Sequence, residues 1–111
     1  MELTFETSTH GEWTVLTVHG ELDLHTSPSL RDALGREIDE GAGWLALELS
    51  DVPFMDSSSL GVLVGALKRL REKGGEMALV GVQGSPSKVV SLTGLDAVFR
   101  VVPDLGSLTT P

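Results

Sequence analysis

Trp44-Leu45-Ala46-Leu47-Glu48-Leu49, followed by Ser50-Asp51-Val52-Pro53-Phe54-Met55 and then Asp56-Ser57-Ser58-Ser59-Leu60-Gly61, is the most informative passage of the chain. The first part is almost continuously apolar, the pattern of a strand buried on both faces. The second is a short connection containing proline. The third opens a helix, with Asp56 as its cap. Leu60, Leu63, Val64, Leu67 and Leu70 then recur at helical spacing and form a core-facing stripe. A buried strand running directly into an amphipathic helix is half of a parallel strand–helix–strand unit.

The sequence on either side completes the pattern. Downstream, Gly74-Gly75 is a turn and Met77–Val82 is a second buried strand. Ser85-Pro86 starts a third helix carrying Val89, Val90 and Leu92, which Thr93-Gly94 ends, and Phe99–Val102 is a last short strand. Pro103–Pro111 holds one more helical turn or frays. Upstream, residues 2–8 and 12–19 alternate, with Leu3 and Phe5, then Trp13, Val15, Leu16 and Val18, around the turn signal His10-Gly11. This predicts a hairpin ended by Gly20. Thr26-Ser27-Pro28 reads as a helix start, with a hydroxyl cap and proline in the first turn. Leu30, Ala33, Leu34 and Ile38 follow at helical spacing, Asp32 and Arg36 are placed for an i,i+4 ion pair, and Gly41-Ala42-Gly43 ends the helix. The expected fold is α/β. A mixed sheet of four to five strands, an opening hairpin plus a parallel core, has helices packed against it in one domain spanning residues 1–111.

Composition narrows the function. The 111 residues include sixteen acidic and eight basic side chains, a formal charge of −8, and no cysteine. The hydrophobic share of 41% and charged share of 22% are those of a globular chain. Without cysteine there is no disulfide, thiolate metal site or cysteine nucleophile. The acidic balance argues against nucleic acid and against an anionic membrane surface, both of which call for a basic face. Met1-Glu2-Leu3-Thr4 is acidic and alternating, unlike a targeting segment, and the uncharged stretch Ser57–Leu67 is too short to span a bilayer. A cytoplasmic location is expected. Lys68, Arg69, Arg71 and Lys73 hold half of the basic charge and read as a solvated, dipole-matched helix end.

Chemistry concentrates where the central strand meets its helix, the edge at which open α/β sheets bind ligands and partners. One cap requires one residue, yet three serines follow Asp56, each costing a few tenths of a kcal/mol of helix propensity, roughly. Enzyme readings find little support. His10, His19 and His25 are the only histidines, no Gly-x-Ser-x-Gly elbow is present, and neither His19 nor His25 has metal-ligand spacing. Gly61 and Gly65 lie inside an apolar helix without a Gly-Lys-Ser sequence, so they read as close-packing positions against the sheet rather than a phosphate loop. A phospho-aspartate receiver domain fails as well, because Ser8–Glu12 lacks the acidic pair such a site needs and the chain opens strand–strand. Neither an enzyme nor a cofactor is expected.

Gly20-Glu21-Leu22-Asp23, Phe54-Met55-Asp56-Ser57-Ser58, Gly61-Val62-Leu63, Lys73-Gly74-Gly75-Glu76-Met77 and Thr93-Gly94-Leu95 together resemble the anti-sigma factor antagonists, single-domain STAS proteins. The resemblance implies the STAS fold and a partner-switching role in stress-responsive control of transcription. The unphosphorylated antagonist binds an anti-sigma factor that is itself a GHKL-type serine kinase, freeing the sigma factor. Phosphorylation switches binding off, and a serine phosphatase reverses it. Carried onto this chain, the resemblance makes Ser57 the phosphoacceptor, with Ser58 and Ser59 as neighbouring alternatives. Asp23, Thr26, Asp56, Ser58 and Ser59 become partner-contact residues. Ser59 stands where the family commonly has glycine. The alternative is an unphosphorylated STAS scaffold or ligand-binding module.

Overall fold

The computed structural model of the protein describes residues 2–109. The apolar run from Trp44 occupies the centre of a five-stranded sheet. In chain order the elements are β1 (Thr4–His10), β2 (Trp13–His19), α1 (Ser27–Asp39), β3 (Trp44–Asp51), α2 (Ser58–Glu72), β4 (Glu76–Val80), α3 (Gly84–Leu92) and β5 (Arg100–Val102). Single 3-10 turns lie at Leu95–Ala97 and Leu105–Ser107. The sheet order is β1-β2-β3-β4-β5, with β1 antiparallel to β2 and every other pair parallel. The expected hairpin and parallel core are therefore both present.

Strand alternation divides the buried side chains between two faces. On one, Leu16, Val18, Leu45, Leu47, Leu49, Met77 and Leu79 pack against Leu30, Leu34 and Ile38 of α1 and Leu63, Leu67 and Leu70 of α2. On the other, Trp13, Val15, Ala46, Ala78 and Val80 form a smaller cluster beneath Trp44, Val102, Leu105 and Leu108. Trp13 and Trp44 meet edge to face, with centroids 5.4 Å apart, and the Arg100 guanidinium lies 5.6 Å from the centre of the Trp13 ring. Trp13 Nε1 donates to the Thr109 carbonyl at 3.2 Å, so the chain after β5 lies over this second face. The expected turn after Pro103 is the one at Leu105–Ser107. Thr110 and Pro111 lie outside the described residues, as does Met1.

Several local expectations are corrected. The stripe on α2 is rotated: Val62 and Ala66 are buried, whereas Leu60 and Val64 lie at the margin of the core. The cause is α1, which packs along the Val62–Ala66 side. Gly61 and Gly65 do not face the sheet. They are exposed along a groove of about 280 Å³ between α1 and α2, and a Cβ at either would meet nothing within 4 Å. Gly75 is the glycine that close packing demands, since a Cβ there would lie 1.7 Å from the Gly43 carbonyl oxygen.

The basic cluster at the end of α2 is not simply solvated. Lys73 Nζ donates to the Ile38 and Ala42 carbonyls at 3.1 and 3.3 Å, tying off the end of α1. Arg69 pairs with Asp39 at 2.6 Å, and Arg71 bonds Glu76 and the Val98 carbonyl. No Asp32–Arg36 pair forms among the described residues; the Arg69–Asp39 bridge between helices is found instead.

Two substitutions check this packing. Leu47→Ala, at a wholly buried position in the central strand, is expected to cost about 2–5 kcal/mol in urea unfolding. Gly65→Ala is expected to stabilise by up to about 1 kcal/mol, because the new methyl meets open space and alanine favours helix. Destabilisation by Gly65→Ala would show that the glycine is required for packing after all.

Candidate functional site

Two connections leave the same end of the sheet, one from β2 to α1 and one from β3 to α2. They are zipped together by their main chains. Leu22 pairs with Met55 as an isolated parallel bridge. Leu22 N donates to the Phe54 carbonyl at 3.0 Å, and Asp56 N donates to the Leu22 carbonyl at 3.0 Å. Leu22 and Met55 are both buried in the main core, so the polar residues beside them rest on a fixed base. This pairing brings Asp23 and Thr26 to the same edge as Asp56, Ser57, Ser58 and Ser59.

The first connection is organised by Asp23. Its Oδ1 accepts from the His25 and Thr26 amides at 2.9 and 3.0 Å, and its carbonyl accepts from the Ser27 amide and hydroxyl at 2.9 and 2.7 Å. The side-chain bonds form an Asx-type turn. Thr26 is not the hydroxyl cap that the sequence suggested. Its Oγ1 turns back, donating to the Glu21 carbonyl at 2.7 Å and accepting from the Asp23 amide at 2.9 Å. The Thr26 hydroxyl thus holds the loop rather than the helix, and Thr26 is buried. The Thr26 amide bonded to Asp23, aided by the His25 amide and the Thr26 hydroxyl, holds the Asp23 carboxyl below its ordinary value of 3.8.

The second connection sorts three adjacent hydroxyls into different environments. Asp56 Oδ1 accepts from the Ser58 amide at 2.9 Å and, through a very short bond, from the Ser58 hydroxyl. Asp56 therefore serves the helix start as expected, although α2 begins one residue later, with Ser57 in the cap position. Ser58 Oγ also lies 3.1 Å from Ser27 Oγ, linking the starts of α1 and α2. Ser59 is 0% exposed and its hydroxyl donates to the Asp56 carbonyl at 2.8 Å. Serine is thus accommodated at this buried position with its hydroxyl satisfied. Ser57 alone of the three is exposed, and its hydroxyl has no hydrogen-bond partner among the described residues.

Apolar side chains flank this polar edge. Leu24 is 70% exposed and Phe54 is 40% exposed, one on each connection. Sequence reading passed over both as site residues. The available signal was a large apolar residue inside an otherwise polar turn, which periodicity alone does not mark as exposed. Among the described residues no group of His, Asp and Glu side chains is arranged to hold a metal ion, and no helix is long and apolar enough to cross a membrane.

The chain and its fold are similar to known proteins. The STAS domain family matches residues 4–108. An anti-sigma-B factor antagonist of Staphylococcus epidermidis is 35% identical over 101 residues, covering 91% of this chain and 94% of its own. The crystal structure of an anti-sigma factor antagonist from Mycobacterium paratuberculosis superposes with a TM-score of 0.85 at 30% identity, covering 94% of this chain and 88% of that one. The Bacillus cell fate determinant SpoIIAA in its phosphorylated form gives a TM-score of 0.66 at 26% identity, covering 88% and 90%. The chain belongs to the STAS domain family and, within it, to the anti-sigma factor antagonists.

Acid should loosen the first connection. The lowered carboxyl of Asp23 stabilises the fold above pH 3.8, and that contribution is lost as pH falls through its lower folded value. Acid unfolding followed by circular dichroism should therefore be less steep in this range for Asp23→Ala than for the wild type. Identical acid limbs would show that the Asp23 turn carries no proton linkage.

Proposed function

We propose that this protein is a phosphorylation-controlled antagonist whose docking face is the paired-connection edge of the sheet. The observation that carries the reading is the sorting of the serines. Ser59 is buried, Ser58 is held by Asp56 and Ser27, and Ser57 presents a free, exposed hydroxyl at the start of α2. In its unphosphorylated form the protein binds an anti-sigma factor with GHKL-type serine kinase activity and so releases the sigma factor. Transfer of a phosphoryl group to Ser57 Oγ ends binding, and a serine phosphatase restores it. The phosphorylated form in which the Bacillus relative was solved supports such chemistry on this scaffold.

The energetics favour a switch that acts on the complex and spares the fold. A phosphate adds about −1.5 to −2 charge and three acceptor oxygens. At the N-terminus of α2 it meets the positive end of the helix dipole, so the free protein tolerates it. Asp56 beside it and Asp23 across the zipped connections add like charge. Arg69, Arg71 and Lys73 lie near the opposite end of α2, roughly 20 Å away at 1.5 Å per residue, and are bound to neighbours. Burying this anion against a partner that offers it no counter-charge costs about 3–5 kcal/mol, roughly 10²- to 10³-fold in affinity or more. Leu24 and Phe54 supply the apolar contact area that a polar edge lacks, while Asp23, Thr26, Asp56, Ser58 and Ser59 shape the surface around Ser57.

Calorimetry with the anti-sigma partner tests the reading. Ser57→Ala is expected to bind within a few-fold of wild type, and Ser57→Asp to bind at least about 10²-fold more weakly with an unchanged unfolding midpoint. Leu24→Ala and Phe54→Ala are each expected to weaken binding by about tenfold or more, for a loss above 1 kcal/mol. Wild-type affinity for Ser57→Asp would overturn the switch, and wild-type affinity for both apolar variants would move the docking face elsewhere.

A further inference from the structure

His19, the last residue of β2, joins three strands through its two ring nitrogens. Nδ1 lies 2.5 Å from Asp51 Oδ2, at the end of β3, and Nε2 lies 2.7 Å from Glu6 Oε2, in β1. A neutral imidazole has one N–H and one lone pair. It can donate to only one of two ionised carboxylates, and its bare nitrogen then faces the other. Both contacts are favourable together only when the ring carries two protons. The geometry is thus that of an imidazolium clasped between two acidic side chains.

The clasp sits where the β2–β3 ladder is irregular. The register of that pair shifts between Thr17 and His19, and the main-chain bond that follows, from the Gly20 amide to the Asp51 carbonyl, is 3.4 Å long. Immediately beyond it, Gly20 and Val52 begin the two connections that carry Leu22, Asp23, Asp56 and Ser57. We propose that His19 is a proton-operated latch, which in its charged state locks the ends of β1, β2 and β3 together and on losing a proton loosens the paired connections.

The charged groups that neighbouring strands present on this face are Glu6 from β1 and Glu48 and Asp51 from β3. Glu48 is taken up by the amide and hydroxyl of Ser50, at 2.8 and 2.7 Å. Glu21 lies two residues further along the chain, and Glu2 precedes β1. All of these groups are acidic, so among the described residues His19 is the counter-charge in the cluster. The Asp51 hydrogen bond, followed by that of Glu6, raises the His19 pKa above its ordinary 6.5. Because the folded value is raised, the latch contributes fully below pH 6.5 and is lost as pH rises through the higher folded value. Surface pairs of this kind are individually modest, so the expected effect is local opening and the domain stays folded.

Two measurements on the free protein test the latch. The His19 ring signals, titrated by NMR, should give a pKa above 6.5 in the wild type and a lower one in both Glu6→Gln and Asp51→Asn. Amide exchange, expressed as protection factors to remove the intrinsic effect of pH, should show Leu22 and Asp56 losing about two- to fivefold protection as pH rises through that value. In His19→Gln the protection of these amides should not depend on pH in this range. A wild-type His19 pKa at or below 6.5, or the same pH dependence of protection in His19→Gln, would overturn the proposal. Any effect on partner binding rests on Ser57 lying in the interface, whereas the latch is measured without a partner and can fail or stand independently.

Discussion

The two main-chain bonds on Leu22, its amide to the Phe54 carbonyl and its carbonyl to the Asp56 amide, govern the end of the sheet that carries the proposed site. They extend the β2–β3 pairing past the formal ends of both strands, so two connections that would otherwise move separately are held in register. Their bases are buried, Leu22 and Met55 alike. Everything polar at this edge is positioned relative to that short bridge, including the Asp23 turn on one side and the start of α2 on the other. Loops carry binding residues with useful accuracy only when a rigid scaffold places them, and here the scaffold is the extension of the sheet itself.

Around that bridge, hydrogen bonding divides the work among residues of similar chemistry. Thr26 and Ser27 are buried and spend their hydroxyls on loop carbonyls. Ser58 spans Asp56 and Ser27, and Ser59 returns to the Asp56 carbonyl. Each of these hydroxyls satisfies a local need, and losing one leaves a polar group without its partner. Ser57 satisfies none. A hydroxyl on which the fold does not depend can change its charge at little cost to folding, which is the physical requirement for a reversible switch.

Much of this was legible in the chain. The continuous apolar character of Trp44–Leu49 and Met77–Val82 marks buried parallel strands, and the alternation before Gly20 marks the hairpin, because burial on two faces and on one leaves different periodicities. The Asp-Ser-Ser passage pointed to the candidate site through its position after the central strand. Side-chain direction inside the turns was not legible. Thr26 looked like a cap because threonine favours that position, yet the Asx turn at Asp23 outcompeted it. Gly61 and Gly65 looked like packing positions, yet α2 turns Val62 and Ala66 to the core and leaves the glycines over a groove. The His19 cluster was missed because its members are far apart in sequence and meet only through strand pairing.

The central claim is that Ser57 is the hydroxyl the chain offers for modification. Its most direct test is intact-mass spectrometry after incubation with magnesium-ATP and each GHKL-type anti-sigma kinase of the same organism, with fragmentation to locate the added group. The account predicts one phosphoryl group, on Ser57, in the wild type and none in Ser57→Ala. A phosphoryl group on Ser58 or Ser59, or binding of the kinase without any transfer, would contradict it.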